Sequence, residues 1–353
     1  MKILHNQMRW RFTVFVCSKH RLMYIMTRYL MSERNGIMSL VEATELILYT
    51  PIIVGGVLNN IGDTSYSCSV PQSTIYKDKD SKHRSRLSAD TLQLLDHLLV
   101  TEKLTSPLPI YMEDQAYMTT NYRSKLILLL MNLHFALKLA PGVSSLAVNI
   151  LDRFLTKRNV EKKEMKVAGL ACLLIASKVL GGSNYDEQNE ILVQFQTGLY
   201  YTSDDVIHTE LVILTGLKYH VSVPTSYTFL YIYLEATGDL VHKDITQDAS
   251  FIQECTLPVY DLLDYIPSKI ASGSIFIARM VNGVTPWNEA LAECTTYNKE
   301  AVVPIVKSIL YNIIPHIECM LESEWIKGKF NRMNKSKISK MQELGLMIGK
   351  TVE

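Results

Sequence analysis

The order of apolar and polar residues predicts a helical protein with one helix that is buried on every side. From Ala168 onward, ten uncharged residues, several of them small, precede Lys178. A helix that is apolar all round packs in the centre of a domain. The stretch is shorter than the roughly 18 apolar residues of a membrane span, and Lys166 and Lys178 bracket it. We therefore predict a buried core helix with an exposed cationic end.

Helical spacing of apolar residues continues through most of the chain after Ser88. The first predicted helix begins near Ser88, carries leucines at 92, 95 and 99, and ends before Pro107. Five helices are predicted next, at about 119–138, 143–157, 162–180, 188–197 and 203–217. The third of these five contains the buried stretch.

The same order of helices begins again after Val223. Five more helices are predicted at about 226–236, 245–264, 268–282, 287–293 and 299–315, and the third is again rich in small and apolar residues. The hexapeptide Tyr201–Val206 opens the fifth helix of the first set, and Tyr297–Val302 echoes it in the second. A repeat of roughly 100 residues is the simplest description. The predicted fold is all-α, with two tandem five-helix repeats preceded by an N-terminal helix.

These patterns divide the chain into five parts. Residues 1–87 form a divergent extension, which we expect to be partly disordered because Gly62–Ser88 is polar and charged. The N-terminal helix with its lead-in, the first repeat, the second repeat and a basic C-terminal tail then occupy residues 88–118, 119–222, 223–320 and 321–353.

Composition and motif content exclude several classes of protein. The chain has 36 basic and 35 acidic side chains, so no overall field attracts nucleic acid or an anionic membrane. The six cysteines have no C-x-x-C spacing, which indicates a reducing compartment and no structural zinc. No nucleotide-binding glycine loop, no H-E-x-x-H and no G-x-S-x-G occurs. We therefore expect no catalytic residue, no cofactor and no metal.

Basic residues towards both ends leave targeting open. The first 35 residues contain many basic side chains and one acid, Glu33, but lack the serine content of a mitochondrial presequence. The cluster Lys82–Arg86 and the lysines of the tail fit either nuclear import signals or solvated ends. Arg84–Leu87 fits the short R-x-x-L degradation signal, a form that also arises by chance. We expect the protein in the nucleus and the cytoplasm.

Several motifs follow one another in a specific order between Ser88 and Leu321. They are Tyr111-Met112 with Gln115 and Arg123, Asp152-Arg153-Phe154-Leu155, Leu174-Ile175-Ala176-Ser177-Lys178, Val221-Ser222-Val223-Pro224-Thr225, Ile266-Pro267-Ser268-Lys269-Ile270-Ala271, and Thr285-Pro286-Trp287. This ordered set resembles the cyclins, and most closely those of the mitotic A/B type. The resemblance implies a non-catalytic subunit that binds and activates a cyclin-dependent kinase and controls cell-cycle progression, at the G2/M transition.

The resemblance also assigns roles to particular residues. It implies that Arg123 pairs with Asp152 to tie the first helix of the repeat to the second, and that Val167 stands where leucine is usual. The implied kinase-binding residues are Lys178, Glu210, Val179 and Leu180. An ammonium can hold a backbone carbonyl and a carboxylate can hold backbone amides. In agreement with this chemistry, the resemblance implies that Lys178 and Glu210 hold the mobile kinase helix whose glutamate must approach the catalytic lysine.

The chain departs from the family pattern in two places. After Lys178 an aromatic residue and two glutamates are usual, but no acid occurs before Asp186, which leaves the choice of kinase open. The second place is a groove that in mitotic cyclins docks basic-plus-leucine peptides of substrates and inhibitors. Its positions here are Tyr122, Lys125, Leu126, Leu129, Asn132 and Lys166. Leucine and asparagine replace a tryptophan and an acid, and lysines add positive charge, so we predict weak binding of arginine-containing peptides.

The alternative interpretation is a transcription-factor-like protein whose double repeat grips promoter DNA and polymerase. Such proteins need a basic face and often carry a zinc ribbon. The near-neutral charge and the cysteine spacing provide neither. We therefore expect a kinase, with its substrates or inhibitors at the groove, as partners, and neither nucleic acid nor a membrane.

Overall fold

The computed structural model describes residues 89–181, 201–322 and 335–350. Within these ranges the chain forms eleven α-helices, three short 3-10 helices and no strand, which confirms the predicted all-α fold. The α-helices are α1 (Ala89–Thr105), α2 (Thr120–Ala136), α3 (Val143–Lys157), α4 (Met165–Leu180), α5 (Ser203–Gly216), α6 (Ser226–Thr237), α7 (Lys243–Thr256), α8 (Pro267–Val281), α9 (Glu289–Thr295), α10 (Lys299–Glu322) and α11 (Lys335–Lys350). The 3-10 helices are Tyr111–Asp114, Asp239–Val241 and Tyr260–Asp264.

The first repeat is built around α4, which packs against α2, α3 and α5. Every residue of α4 before Lys178 is buried except Lys166, so the prediction of a core helix is confirmed. Gly169 permits the close approach of α2, because a Cβ atom at this position would lie 3.1 Å from Cδ1 of Leu126. The helix predicted at about 188–197 and the polar stretch before Ser88 lie outside the described residues.

The second repeat has the same plan around α8, which packs against α6, α7 and α10. A Cβ atom at Gly273 would lie 2.7 Å from Cδ1 of Ile309, so this glycine sets the spacing of α8 and α10. The prediction of one helix over 245–264 is wrong. The α7 helix ends at Thr256 and a separate 3-10 helix begins at Tyr260, because Pro258 has no N–H group for an α-helical hydrogen bond.

The last two helices differ from the sequence prediction. Helix α10 was expected to end at 315, but it continues through Pro315 to Glu322. Ile317 and Met320 beyond the proline are buried, and this burial offsets the hydrogen bond that the proline removes. The segment predicted as a basic tail contains α11, which packs against α10 and α8.

Helix α1 precedes the first repeat but packs in the core of the second. Leu95 and Leu98 belong to the same apolar cluster as the α8 side chains. The buried Glu102 carboxylate accepts hydrogen bonds from the Ser268 N–H (2.8 Å) and from the Ser268 hydroxyl (2.6 Å) at the start of α8. Burial raises the pKa of Glu102 above its usual range, and the Ser268 bonds lower it in part. An acid at this place complements the positive end of the α8 dipole.

Candidate functional site

A two-point ion pair joins the last turn of α4 to the middle of α5. The Lys178 ammonium donates to Oε1 (2.6 Å) and Oε2 (2.8 Å) of Glu210. The Glu210 side chain is 2% exposed and that of Lys178 is 20% exposed. The carboxylate is thus held inside the repeat, while the ammonium reaches its surface.

The start of α5 determines which face of that helix carries Glu210. Thr202 and Asp205 form a capping box: the Thr202 N–H donates to the Asp205 carboxylate (2.7 Å), and the Asp205 N–H donates to the Thr202 hydroxyl (3.2 Å). The Thr202 hydroxyl also donates to the Asp205 carboxylate (2.8 Å), and the two bonds that Thr202 donates, the backbone one first, lower the pKa of Asp205. Val206 and Leu214, four residues on either side of Glu210, are buried. Glu210 therefore shares the inward face of α5.

Two apolar residues extend the site beyond Lys178. Val179 and Leu180 are half-buried. Helix α4 ends at Leu180 and is followed by Gly181, whose φ of +68° is a backbone conformation that suits glycine. The resulting surface has a charged pair beside partly exposed apolar side chains. We call Lys178, Val179, Leu180, Glu210 and Leu214 the first-repeat edge. The departures from the family pattern between 182 and 186 lie outside the described residues.

The other predicted pair is fully enclosed. The Arg123 guanidinium donates to Oδ1 (2.8 Å) and Oδ2 (2.6 Å) of Asp152, and neither side chain is exposed by more than 1%. Burial alone would lower the pKa of Arg123, but the adjacent Asp152 raises it above its usual range. This pair ties α2 to α3.

Three further contacts connect the Arg123–Asp152 pair to other parts of the chain. The Tyr111 hydroxyl donates to Asp152 (2.7 Å), Arg123 donates to the Leu257 carbonyl (3.2 Å), and the Tyr260 ring lies 5.7 Å from the guanidinium carbon. Leu257 and Tyr260 lie in the second repeat. From the sequence, Tyr111 was identified only as part of a motif. The contacts to the second repeat were not predicted, because no local pattern links positions so far apart in the chain.

The predicted docking groove is only partly apolar at its surface. Leu126 is buried against Gly169, and Leu129 is 36% exposed. Lys125 and Lys166 are exposed, and Tyr122 and Asn132 are half-buried. Burial, with a smaller effect of Tyr201, raises the pKa of Tyr122. The groove residues thus combine one exposed leucine with two exposed lysines.

The described residues contain neither a metal-binding cluster nor a membrane-spanning helix. Among them, no group of three or more histidine, cysteine or acidic side chains could hold a metal ion. Burial raises the pKa of Cys172 and Cys255, which are free thiols in the core. No helix in these ranges is long and apolar enough to cross a membrane.

Family models match both repeats. The model described as "Cyclin, N-terminal domain" matches residues 93–222, and the model described as "Cyclin, C-terminal domain" matches residues 224–344. The chain belongs to the cyclin family. The predicted resemblance and the predicted double repeat are therefore confirmed.

Individual relatives place this cyclin near the A-type and mitotic groups. It is 31% identical to Cyclin-A1-4 of Oryza sativa subsp. japonica over 260 residues, which cover 70% of each chain. It is 29% identical to G2/mitotic-specific cyclin-2 of Medicago sativa over 199 residues, covering 55% of this chain and 58% of the relative. The match thus spans little more than half of the second relative.

A solved structure supports the fold alone. The viral cyclin from herpesvirus saimiri is 22% identical and superposes with a TM-score of 0.55, covering 66% of this cyclin and 99% of the viral chain. The viral chain therefore has its counterpart in about two thirds of the present one.

Proposed function

We propose that this cyclin is the regulatory subunit of a cyclin-dependent protein kinase and controls cell-cycle progression at the G2/M transition. The observation that carries the proposal is the first-repeat edge, where the Lys178 ammonium, held by the buried Glu210, reaches the surface between α4 and α5. The family membership and the A-type and mitotic names of the relatives support it.

The edge has the chemistry to hold a helix of a partner. Lys178 has three ammonium protons, and its two bonds to Glu210 leave donor capacity on the side that is exposed. A carbonyl at a helix end can accept from this ammonium, and the Glu210 carboxylate orients it. Val179 and Leu180 supply apolar surface beside the charged contact. Binding therefore needs no rearrangement of the pair itself.

Activation on this proposal is a shift between two kinase conformations. The cyclin binds the active arrangement of the regulatory kinase helix more tightly than the inactive one, and it can shift the equilibrium only by that difference in affinity. The phosphate transfer takes place on the kinase, and the cyclin contributes no catalytic group. We place this complex in the nucleus and the cytoplasm. No observation favours the alternative function on promoter DNA and polymerase.

The groove on α2 supports a narrower proposal about substrates and inhibitors. Lys125 and Lys166 are exposed, so an arginine-containing docking peptide meets like charge at the groove. We propose that this cyclin recruits such peptides weakly, and that its kinase complex selects substrates mainly through the kinase subunit.

The test is co-expression of the full chain with each cyclin-dependent kinase of the source organism. We expect one kinase to copurify and to phosphorylate a histone-type peptide, and a Lys178→Ala, Glu210→Ala double variant to lose both effects. The matched control is Lys163→Ala with Glu161→Ala, which removes a surface pair of 3.0 Å whose side chains are largely exposed. Absence of any captured kinase, or equal loss in the control, would contradict the proposal.

A further inference from the structure

The sequences of the two repeats can be aligned at the ends of their central helices. Gly181 and Gly283, both with positive φ, follow the last turns of α4 and α8. Counting back from these glycines, Val281 corresponds to Val179 and Met280 to Lys178. The second repeat therefore has an uncharged side chain where the first has its ammonium.

The helices that carry the acid correspond in the same way. Helix α5 begins two residues after Tyr201, and α10 begins two residues after Tyr297. With this register Leu310 corresponds to Leu214 and Val306 to Glu210. The counterpart of the first-repeat edge, which we call the second-repeat edge, is formed by Met280, Val281, Asn282, Val306 and Leu310. In the second-repeat edge, the apolar Met280 and Val306 take the places of Lys178 and Glu210, which form the ion pair of the first-repeat edge.

Helix α11 lies on the second-repeat edge. The Lys340 ammonium donates to the Val281 carbonyl (3.2 Å) near the end of α8. Gly345 lets the helix approach α10, because a Cβ atom there would lie 2.9 Å from Cδ1 of Ile314 and 3.9 Å from Cβ of Leu310. Met341, between these two contacts, is 0% exposed. A lysine on the last carbonyls of α8 also complements the negative end of its dipole.

A buried carboxylate fixes α11 at a second point. The Lys337 ammonium donates to Oδ2 of Asp248 (2.7 Å), and the Asn282 amide donates to the same carboxylate (2.7 Å). The Asp248 side chain is almost fully buried. Asp248 lies on α7 and Asn282 follows α8, so the carboxylate that accepts from Lys337 is itself held in place from the end of α8.

We propose that α11 is a built-in occupant of the second-repeat edge, and that it confines partner binding to the first repeat. The edge takes an amphipathic helix that presents a lysine to the last carbonyls of α8 and a methionine to the cleft between α8 and α10. While α11 is in place, no second helix can bind there. Weakening α11 opens the edge to a helix supplied from outside.

The test uses a labelled peptide of residues 335–350 and the full chain. In Met341→Asp the buried position of α11 receives a charge, so the edge becomes vacant and binds the wild-type peptide at least about 100-fold more tightly than the unaltered chain does. Leu346→Asp is the matched control, because it places the same charge on the same helix at a side chain that is 67% exposed. We expect that variant to bind the peptide no better than the unaltered chain. Fluorescence anisotropy gives the affinities.

A milder variant keeps the test decisive if Met341→Asp does not fold. The double variant Lys337→Ala, Lys340→Ala removes both polar anchors and is expected to bind the peptide about tenfold more tightly than the unaltered chain. Peptide binding that is equal in all folded chains, or absent from both the Met341 and the lysine variants, would overturn the proposal. No kinase takes part in this experiment, so its outcome is independent of the proposed function.

Discussion

Each repeat carries a cation near the end of its central helix, and the two cations differ in what surrounds them. Lys178 of α4 is 20% exposed and has Glu210 as its partner in the described structure. Arg279 of α8 is 4% exposed; it donates to the Asp239 carboxylate and, through Nε, to the Thr285 carbonyl (2.8 Å). A cation that is almost fully buried can contact only its own chain, whereas one with an exposed side can also donate to a partner.

The enclosed pair in the second repeat is part of a larger network. The Thr237 hydroxyl also donates to Asp239 (3.1 Å), so the acid is held by two side chains. Helix α11 covers the neighbouring surface and leaves this end of the repeat closed. The first repeat has no such cover within the described residues. The same helical plan thus yields one edge that is covered by α11 and one that we propose for partner binding.

The largest effect is expected from removing the enclosed cation, Arg279. Arg279→Met leaves Asp239 buried without its ionic partner, and we expect the free energy of unfolding to fall by about 3–5 kcal/mol. Urea denaturation measures this change. The control Lys163→Met, at an exposed site, is expected to leave the unfolding midpoint unchanged. A loss in Arg279→Met no greater than that in the control would show that the pair is not structural.

Replacement of the partly exposed Lys178 should affect kinase binding more than it affects stability. Lys178→Met leaves Glu210 without its ionic partner, but water can reach this site because Lys178 is 20% exposed. We therefore expect the free energy of unfolding to fall by less than in Arg279→Met, by about 1.5–3 kcal/mol. The Kd for the captured kinase should rise about 30-fold or more, since a charged contact is lost at the interface. Surface plasmon resonance and urea denaturation of the same preparation separate the two effects. An unchanged Kd in Lys178→Met would remove the first-repeat edge from the interface.

Glu102 of α1, which binds the start of α8, differs from Arg279 near the end of α8 in that its effect on stability should depend on pH. Burial raises the folded-state pKa of Glu102 above its unfolded value of 4.5, so the folded chain holds this proton more tightly. Its contribution to stability is fully present below pH 4.5 and is lost as the pH rises through the folded pKa. Glu102→Gln has no such dependence. The wild-type chain should therefore lose stability relative to Glu102→Gln as the pH rises.

Thermal unfolding of both chains from pH 4 to pH 8 measures this difference. Glu113→Gln, at an exposed position in the following 3-10 helix, is the control and should follow the wild-type curve. A difference between the wild-type chain and Glu102→Gln that grows in the opposite direction would contradict the assignment.

The smallest expected effect concerns the docking groove of the first repeat. Asn132→Glu adds an acid to a groove that carries two lysines, so an arginine-containing docking peptide should bind about 3- to 10-fold more tightly. Anisotropy titration at low and at physiological salt measures the gain, which should shrink as salt increases. Asn121→Glu, at an exposed position on the same helix, is the matched control. Tight binding of the peptide to the unaltered chain would contradict the prediction of a weak groove.

Local patterns were sufficient to predict α1 to α10 and the centre of each repeat, but they missed α11. An apolar stretch that has no polar face must be surrounded by other helices, so the burial of α4 could be predicted without knowing which helices surround it. The two repeats were revealed by the repeated order of predicted helices and by the similar hexapeptides that begin at Tyr201 and Tyr297. The two ends that were predicted poorly, those of α7 and α10, each involve a proline. Pro258 ends a helix and Pro315 does not, because continued burial beyond Pro315 offsets the lost hydrogen bond.

The family resemblance identified Lys178 and Glu210 as candidates, but it did not predict that they pair with each other. Only the tertiary structure decides that Lys178 stays partly exposed while Arg279 is enclosed, that Glu102 meets the start of α8, and that α11 lies on the second-repeat edge. The physical reason is that helical periodicity is set by neighbours three and four residues apart. The partner of a buried charge is set by contacts between distant segments, which no local pattern records.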